Sequence, residues 1–199
     1  PLDSLSADEI RRTSTILGSE KNIDNGWRYA SIMLAEPAKA LVKAWREGDP
    51  IPRRSLSVLW QKATNDVYEA VVDLVAGAVE SWTHRPGVCP NFTLDEYHEI
   101  DHALRSHPQV VAALQARGIT DLDLVLFDTW TYGEAVMPPQ WQDRRLGWVD
   151  IWLRGAHGGN PYAHPVSGLK VVVDMNTEEV LEIEDHHDLG LPEVAGDYI

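Results

Sequence analysis

Hydrophobic and polar positions along the chain fall into two rounds of one rhythm, a helical stretch followed by runs that alternate with a period of two. In the first round Ser6 and Glu9 have the spacing of a capping box. Ile10, Thr13, Ser14 and Leu17 then share a helical face up to a stop at Gly18. That face is weakly apolar, so the helix is expected to lie on a sheet. Arg28 to Ala35 alternates as a strand, Glu36-Pro37 interrupts it, and Lys39 to Arg46 reads as a second strand. Leu56, Val58 and Trp60 mark one face of a strand over Arg54 to Lys62. Asn65 and Asp66 turn the chain into an apolar strand from Tyr68 to Ala76, and Val79 to Trp82 completes an antiparallel meander.

Arg85 to Asn91, RPGVCPN, has the proline and glycine content of a linker. The second round opens with Thr93 and Glu96, again spaced as a capping box, and with a stripe of Leu94, Tyr97, Ile100 and Leu104. Pro108 opens a shorter helix carrying Val111 and Leu114, stopped by Gly118. Strands follow over Leu122 to Trp130 and Leu146 to Leu153, with Trp148 and Ile151 as packing candidates and a loop at Met137 to Trp141 between them. The last stretch, Asn160 to Asp185, reads as a hairpin. Leu169, Val171 and Val173 alternate along its first strand, Asp174, Asn176 and Thr177 turn it, and Val180, Leu181 and Ile183 return among glutamates. Pro161 and Pro165 stiffen the segment that presents Tyr162 and His164. The fold class is therefore α+β: two small domains, 1–86 and 87–199, each a helix packed on a twisted antiparallel sheet of cystatin-like form.

Charge narrows the function. Seventeen basic against 31 acidic residues give a formal net charge of -14, which argues against nucleic acid, where neutralising phosphates dominates affinity, and against an anionic membrane surface. No apolar run has the length needed to span a bilayer. The first ten residues have neither the basic nor the apolar region of a signal peptide. A soluble protein is expected, cytoplasmic or exported. The single cysteine, Cys89, rules out an internal disulfide and a multi-cysteine metal site.

One motif has catalytic form. His98-Glu99-Ile100-Asp101-His102 matches H-E-x-x-H on a helix, where two imidazoles one turn apart could hold zinc and the glutamate could deprotonate its water. It lacks a third ligand at the zincin spacing, since His107 follows too soon, and Tyr97 and Ile100 claim the apolar face. His186-His187 between Asp185 and Asp188 is a second metal-like cluster, but adjacent residues on a strand point to opposite faces. Glu134 and Asp143 offer carboxylates for acid–base work with nothing in the sequence to bring them together. Eight tryptophans are many for this length. Trp130, Trp141, Trp148 and Trp152 gather in the second half, most of them expected in the core and one or two at an interface. A zinc metallopeptidase using His98, Glu99 and His102, and a stand-alone interaction module, are thus alternatives.

The hairpin carries a resemblance. Tyr162-Ala163-His164-Pro165, the Gly168-Leu169 pair, the valine-rich strand, the Asp174-x-Asn176 turn and Glu179-Val180 resemble the end of the third domain of copper-containing amine oxidases. Pro1 to Ile10 resembles the opening of the second domain, Glu36-Pro37-Ala38-Lys39 its first hairpin, and Ala116-Arg117-Gly118-Ile119 the turn after the third-domain helices. Gly155 to Asn160 and Met137 to Trp141 follow the family poorly. The resemblance implies two tandem N-terminal domains, N2 and N3, ahead of a β-sandwich catalytic domain that holds a topaquinone, formed from a tyrosine in an Asn-Tyr motif, a catalytic aspartate, and copper on a His-x-His pair with a third histidine. The chain contains no Asn-Tyr dipeptide and no His-x-His. By this resemblance it carries no catalytic residue, cofactor or metal of its own, and its partner is its own catalytic domain. The intact protein would oxidise primary amines with O2 to aldehyde, ammonia and hydrogen peroxide. Its dimer would form largely through the catalytic domain, leaving this portion monomeric by itself. The matching helix is structural in the family, so His98, Glu99 and His102 would be an accidental pattern. Tyr162 would stand near the entrance of the amine channel.

Overall fold

In the computed structural model, which describes residues 1–133, 137–142 and 144–186, the chain divides into two compact units, the second beginning at Phe92. Each unit contains a four-stranded antiparallel sheet whose strands neighbour one another in chain order. Among the described residues no helix is long and apolar enough to cross a membrane.

The first unit begins with helix α1, Ala7–Lys21. Its capping box is complete: the Ser6 hydroxyl accepts from the Glu9 amide and the Glu9 carboxylate accepts from the Ser6 amide. The helix does not stop at Gly18, which keeps helical geometry; it runs to Lys21 and ends at Asn22, whose left-handed φ of 55° closes the C-terminus. Strands β1 (Trp27–Leu34), β2 (Arg54–Gln61), β3 (Val67–Asp73) and β4 (Ala78–Arg85) form the meander. The segment expected as a strand at Lys39 to Arg46 is instead a short helix, α2, Lys39–Ala44. Its Ala, Leu and Lys residues favour a helix, and a short apolar run does not distinguish the two periods. The face of β2 that α1 covers is the one opposite Leu56, Val58 and Trp60. Ser55, Ser57 and Leu59 are fully buried, not Leu56 and Val58, although Trp60 is buried too. A polar pair explains how Ser55 occupies that face: the Thr13 hydroxyl on α1 donates to the Glu9 carbonyl at 2.9 Å and accepts from the Ser55 hydroxyl at 2.8 Å, so neither buried group is left unsatisfied. The core is correspondingly small, Leu17, Leu59, Ala70, Val72 and Leu74, and partly buried rings extend it. Trp27, Tyr68 and Trp82 pack there with centroids 4.6 to 5.8 Å apart.

The second unit has two helices, α3 (Leu94–Ser106) and α4 (Pro108–Ala116), before strands β5 (Val125–Thr131), β6 (Leu146–Leu153), β7 (His164–Asp174) and β8 (Val180–Asp185). Thr93 and Glu96 form the second complete capping box. The buried stripe of α3 is Glu96, Ile100 and Leu104, whereas Leu94 at the helix start is 70% exposed. Both helices cover one sheet face, where Val125, Phe127, Val149, Ile151, Leu169, Val171 and Val173 meet Ile100, Leu104, Val110 and Leu114. Of the two packing candidates on β6, Ile151 is buried among the core residues, whereas Trp148, three positions away, lies on the other face and is 39% exposed.

The two units share one more feature that the sequence does not display. In each, the capping-box glutamate also binds an arginine placed immediately before the second strand of its sheet. Arg53 donates to Glu9 through Nε at 2.6 Å and Nη2 at 2.9 Å. Arg145 donates to Glu96 through Nε at 2.5 Å and Nη2 at 3.1 Å. The first clamp is partly exposed and the second is sealed, with Arg145 and Glu96 side chains 1% and 0% accessible.

Candidate functional site

Alternation along β5, β6 and β7 turns every second side chain away from the helices, and register lines these up in rows. Leu126 lies opposite Trp152, Asp128 opposite Asp150, and Trp130 opposite Trp148. Across the next ladder Asp150 faces Lys170 and Trp152 faces Pro165. The open face of the sheet is therefore a patch of indoles crossed by a row of charge.

Tyr162 joins this patch from the segment before β7. Its amide donates to Asn160 Oδ1 at 3.0 Å, a local turn that fixes the residue after Pro161. The ring stands edge-on to Trp152, centroids 5.3 Å apart and 73° between planes, and is 48% exposed. Asp128 is only 9% exposed. Burial pushes its ionisation above the ordinary carboxylate range; the Trp130 indole and Tyr162 phenol, turned toward the carboxylate, oppose this, and Asp150 adds to the rise. The Tyr162 phenol is raised in turn, by burial first and then by Asp128. Tyr97, at the start of α3, is pushed up to about 12 by burial, with Asp128 and Tyr162 contributing. Phe92 stands between them, 6.4 Å from both the Tyr97 and the Trp130 rings. One strand away Lys170 spans its neighbours, Nζ 3.3 Å from Asp150 Oδ1 and 3.7 Å from the Trp148 ring centroid.

The other candidates are scattered. His98 and His102 are exposed on α3, and Glu99 lies between them, partly buried. His107 ends that helix, His157 pairs with Asp121 at 3.0 Å, and His164 begins β7. His186 is held by its amide on the Gly168 carbonyl at 2.7 Å, while Asp185 accepts from Arg117 at 2.7 Å. His187, Asp188, Glu134 and Asp143 lie outside the described residues. Among the described residues no three His, Cys, Asp or Glu side chains gather as a metal site. Cys89 is exposed and in no disulfide. Sequence reasoning picked out Tyr162 and the tryptophans but missed Asp128, whose signal lay in the register that sets it opposite Asp150.

The sequence profile of the copper amine oxidase N2 domain matches residues 1–84, and that of the N3 domain matches residues 95–196. The chain belongs to the copper amine oxidase family. A primary amine oxidase of Arthrobacter sp. (strain P1) is 37% identical over 200 residues, covering 100% of this chain and 30% of that protein. The peroxisomal N-methylputrescine oxidase 1 of Nicotiana tabacum is 32% identical over 235 residues, covering 98% of this chain and 29% of its own length. The crystal structure of a copper-containing benzylamine oxidase from Hansenula polymorpha superposes with a TM-score of 0.74 at 21% identity, over 93% of this chain and 30% of that one. That likeness supports the α+β fold. The chain thus spans about a third of the length of these relatives and corresponds to their N2 and N3 domains; the patch around Tyr162 belongs to the N3 domain.

Proposed function

We propose that this chain is the non-catalytic N2–N3 portion of an oxidase that converts primary amines and O2 to aldehyde, ammonia and hydrogen peroxide. The observation that carries this is the pair of matches, N2 then N3, one for each unit of the fold. Copper and topaquinone would be held outside the N2 and N3 domains, a reading supported by the two domain matches and by a sequence with no Asn-Tyr or His-x-His. In the intact dimer Tyr162 walls the entrance of the amine channel. Its half-exposed ring, fixed by Pro161, Asn160 and Trp152, can define a wall with little ordering entropy left to lose. Neither the zinc nor the stand-alone module reading gains support from the geometry.

The test is to express the full reading frame that contains this chain, load it with copper, and measure amine-dependent hydrogen peroxide release. Activity in the full protein and none in the 199-residue chain is expected. A copper-loaded full protein that does not oxidise amines overturns the proposal. Tyr162→Ala in the active protein should shift kcat/KM between slim and bulky amines by several-fold. A uniform change across amines would remove Tyr162 from the channel.

A further inference from the structure

The H-E-x-x-H stretch plays no part in the function proposed above, yet the fold sets two of its residues side by side in solvent. Helix α3 runs unbroken from Leu94 to Ser106. The Thr93–Glu96 capping box fixes its start, and near its end Arg105 donates to Asp101 and to the carbonyls of Leu122 and Val125. The helix therefore keeps its spacing without help from a ligand. Ile100 and Leu104 are buried beneath it, while His98 and His102 are both exposed. Residues four apart on a helix have Cβ atoms about 5–6 Å apart. Helical side chains lean toward the N-terminus, which carries the His102 imidazole back over the turn that bears His98. Two ring nitrogens, each about 2.0 Å from a shared ion, can close that gap. Charge favours a cation there. Asp95, one turn before His98, adds a carboxylate to the same stripe, and the single arginine of the helix is tied to Asp101 and the two carbonyls.

We propose that His98 and His102 form a surface site for a divalent first-row transition metal ion, with Cu(II) held most tightly. The two imidazoles coordinate as neutral nitrogen donors and water fills the remaining positions. Cu(II) leads because the affinity of nitrogen sites rises along the series to copper and falls again at zinc. Two protein ligands are fewer than the three of a catalytic zinc centre, and Glu99 between them is partly buried. The site thus binds metal without the peptidase chemistry of its motif. It lies on α3 alone and does not rest on the oxidase reading, so either can fail while the other stands.

The experiment uses the 199-residue chain, stripped of metal with EDTA and exchanged into buffer containing glycine as a weak competitor. Cu(II) is titrated in by calorimetry, and the electron spin echo modulation of the first equivalent counts the imidazoles on the ion. One equivalent carrying two imidazoles is expected, held at least about tenfold more tightly than Zn(II). Removing either ligand forfeits the chelate, so His98→Gln and His102→Gln should each weaken the first equivalent by about tenfold or more. Both side chains are exposed, and one variant serves if the other does not fold. His186→Gln should leave the first equivalent unchanged. The pair His102→Gln with Ser106→His keeps the number of histidines but spaces the two on α3 about 12 Å apart along the axis, and it too should lose the site. Unchanged affinity in either single variant or in that pair, a loss in His186→Gln as large as in His98→Gln, fewer than two imidazoles on the first Cu(II), or Zn(II) bound as tightly as Cu(II) overturns the proposal.

Discussion

The two units make the same clamp and place it in different surroundings. In both, the glutamate that caps the leading helix reaches an arginine just ahead of the second strand. In the N2 domain the pair is about three-quarters covered, and Arg53 also donates to the carbonyls of Asp3 and Ser4. In the N3 domain it is sealed. A bridge that keeps some contact with water can lose a partner and be rehydrated, whereas a sealed one leaves an uncompensated charge. The aromatic residues differ in parallel. With one long helix, the N2 domain completes its core with Trp27, Tyr68 and Trp82 on the helix side. With two helices, the N3 domain fills its core without its exposed tryptophans, and Trp130 and Trp148 are left on the open face.

The largest effect should come from breaking the sealed clamp. Arg145→Ala leaves Glu96 buried without its cation and is expected to cost about 3–5 kcal/mol in the N3 domain, read from denaturant unfolding. A cost below about 1 kcal/mol would show that water reaches Glu96. Trp82→Ala should cost the N2 domain about 2 kcal/mol, because its ring stacks on Tyr68 and packs on the core. Trp130→Ala should cost less, about 1 kcal/mol, mostly through the hydrogen bond its indole gives Asp128. If the two substitutions cost the same, the division between core-filling and exposed indoles is wrong.

The partly exposed clamp should show itself in acid. Hydrogen bonds from Arg53, then from the Ser6 backbone, lower Glu9 from the ordinary 4.5 to about 2. Since the folded value is the lower one, this contribution is complete above the unfolded value and is lost as pH falls from about 4.5 toward 2. Melting temperatures across that window should fall less steeply in Arg53→Gln than in the parent chain. Asp128 has the opposite sign. Its folded ionisation is raised by burial, so the folded state holds the proton more tightly and the charged form costs stability at neutral pH. Asp128→Asn should therefore raise the melting temperature at pH 7, and the gain should shrink as the solution is acidified through the folded value. A melting temperature lowered at pH 7 would mean that the charged carboxylate is stabilising.

What could be read from the sequence was local. Both capping boxes were visible because their partners lie three residues apart, and most strands were visible because alternation is a short-range pattern. The segment Lys39 to Arg46 was misread as a strand because its short apolar run, helical over Lys39–Ala44, fits either period. The sequence put Leu56, Val58 and Trp60 on one face of β2 but could not say that the opposite face, with Ser55 bonded to Thr13, is the one the helix covers. Asp128 was missed for a different reason: a carboxylate between Phe127 and Thr129 has no meaning until β6 brings Asp150 across from it and the lead-in to β7 brings Tyr162 beside it. The clamp arginine in each unit, Arg53 or Arg145, was equally silent, since nothing near it in sequence names its partner.

That clamp bears on the order in which each domain assembles. Arg53 lies 44 residues beyond Glu9, and Arg145 lies 49 beyond Glu96. A nascent α3 can form its Thr93 cap as soon as it is made, yet Glu96 gains its arginine only when the start of β6 has docked. The first turn of α3 should therefore remain open to solvent exchange early in refolding and close together with the β5–β6 ladder, so that a local helix cap reports on the closure of a long loop.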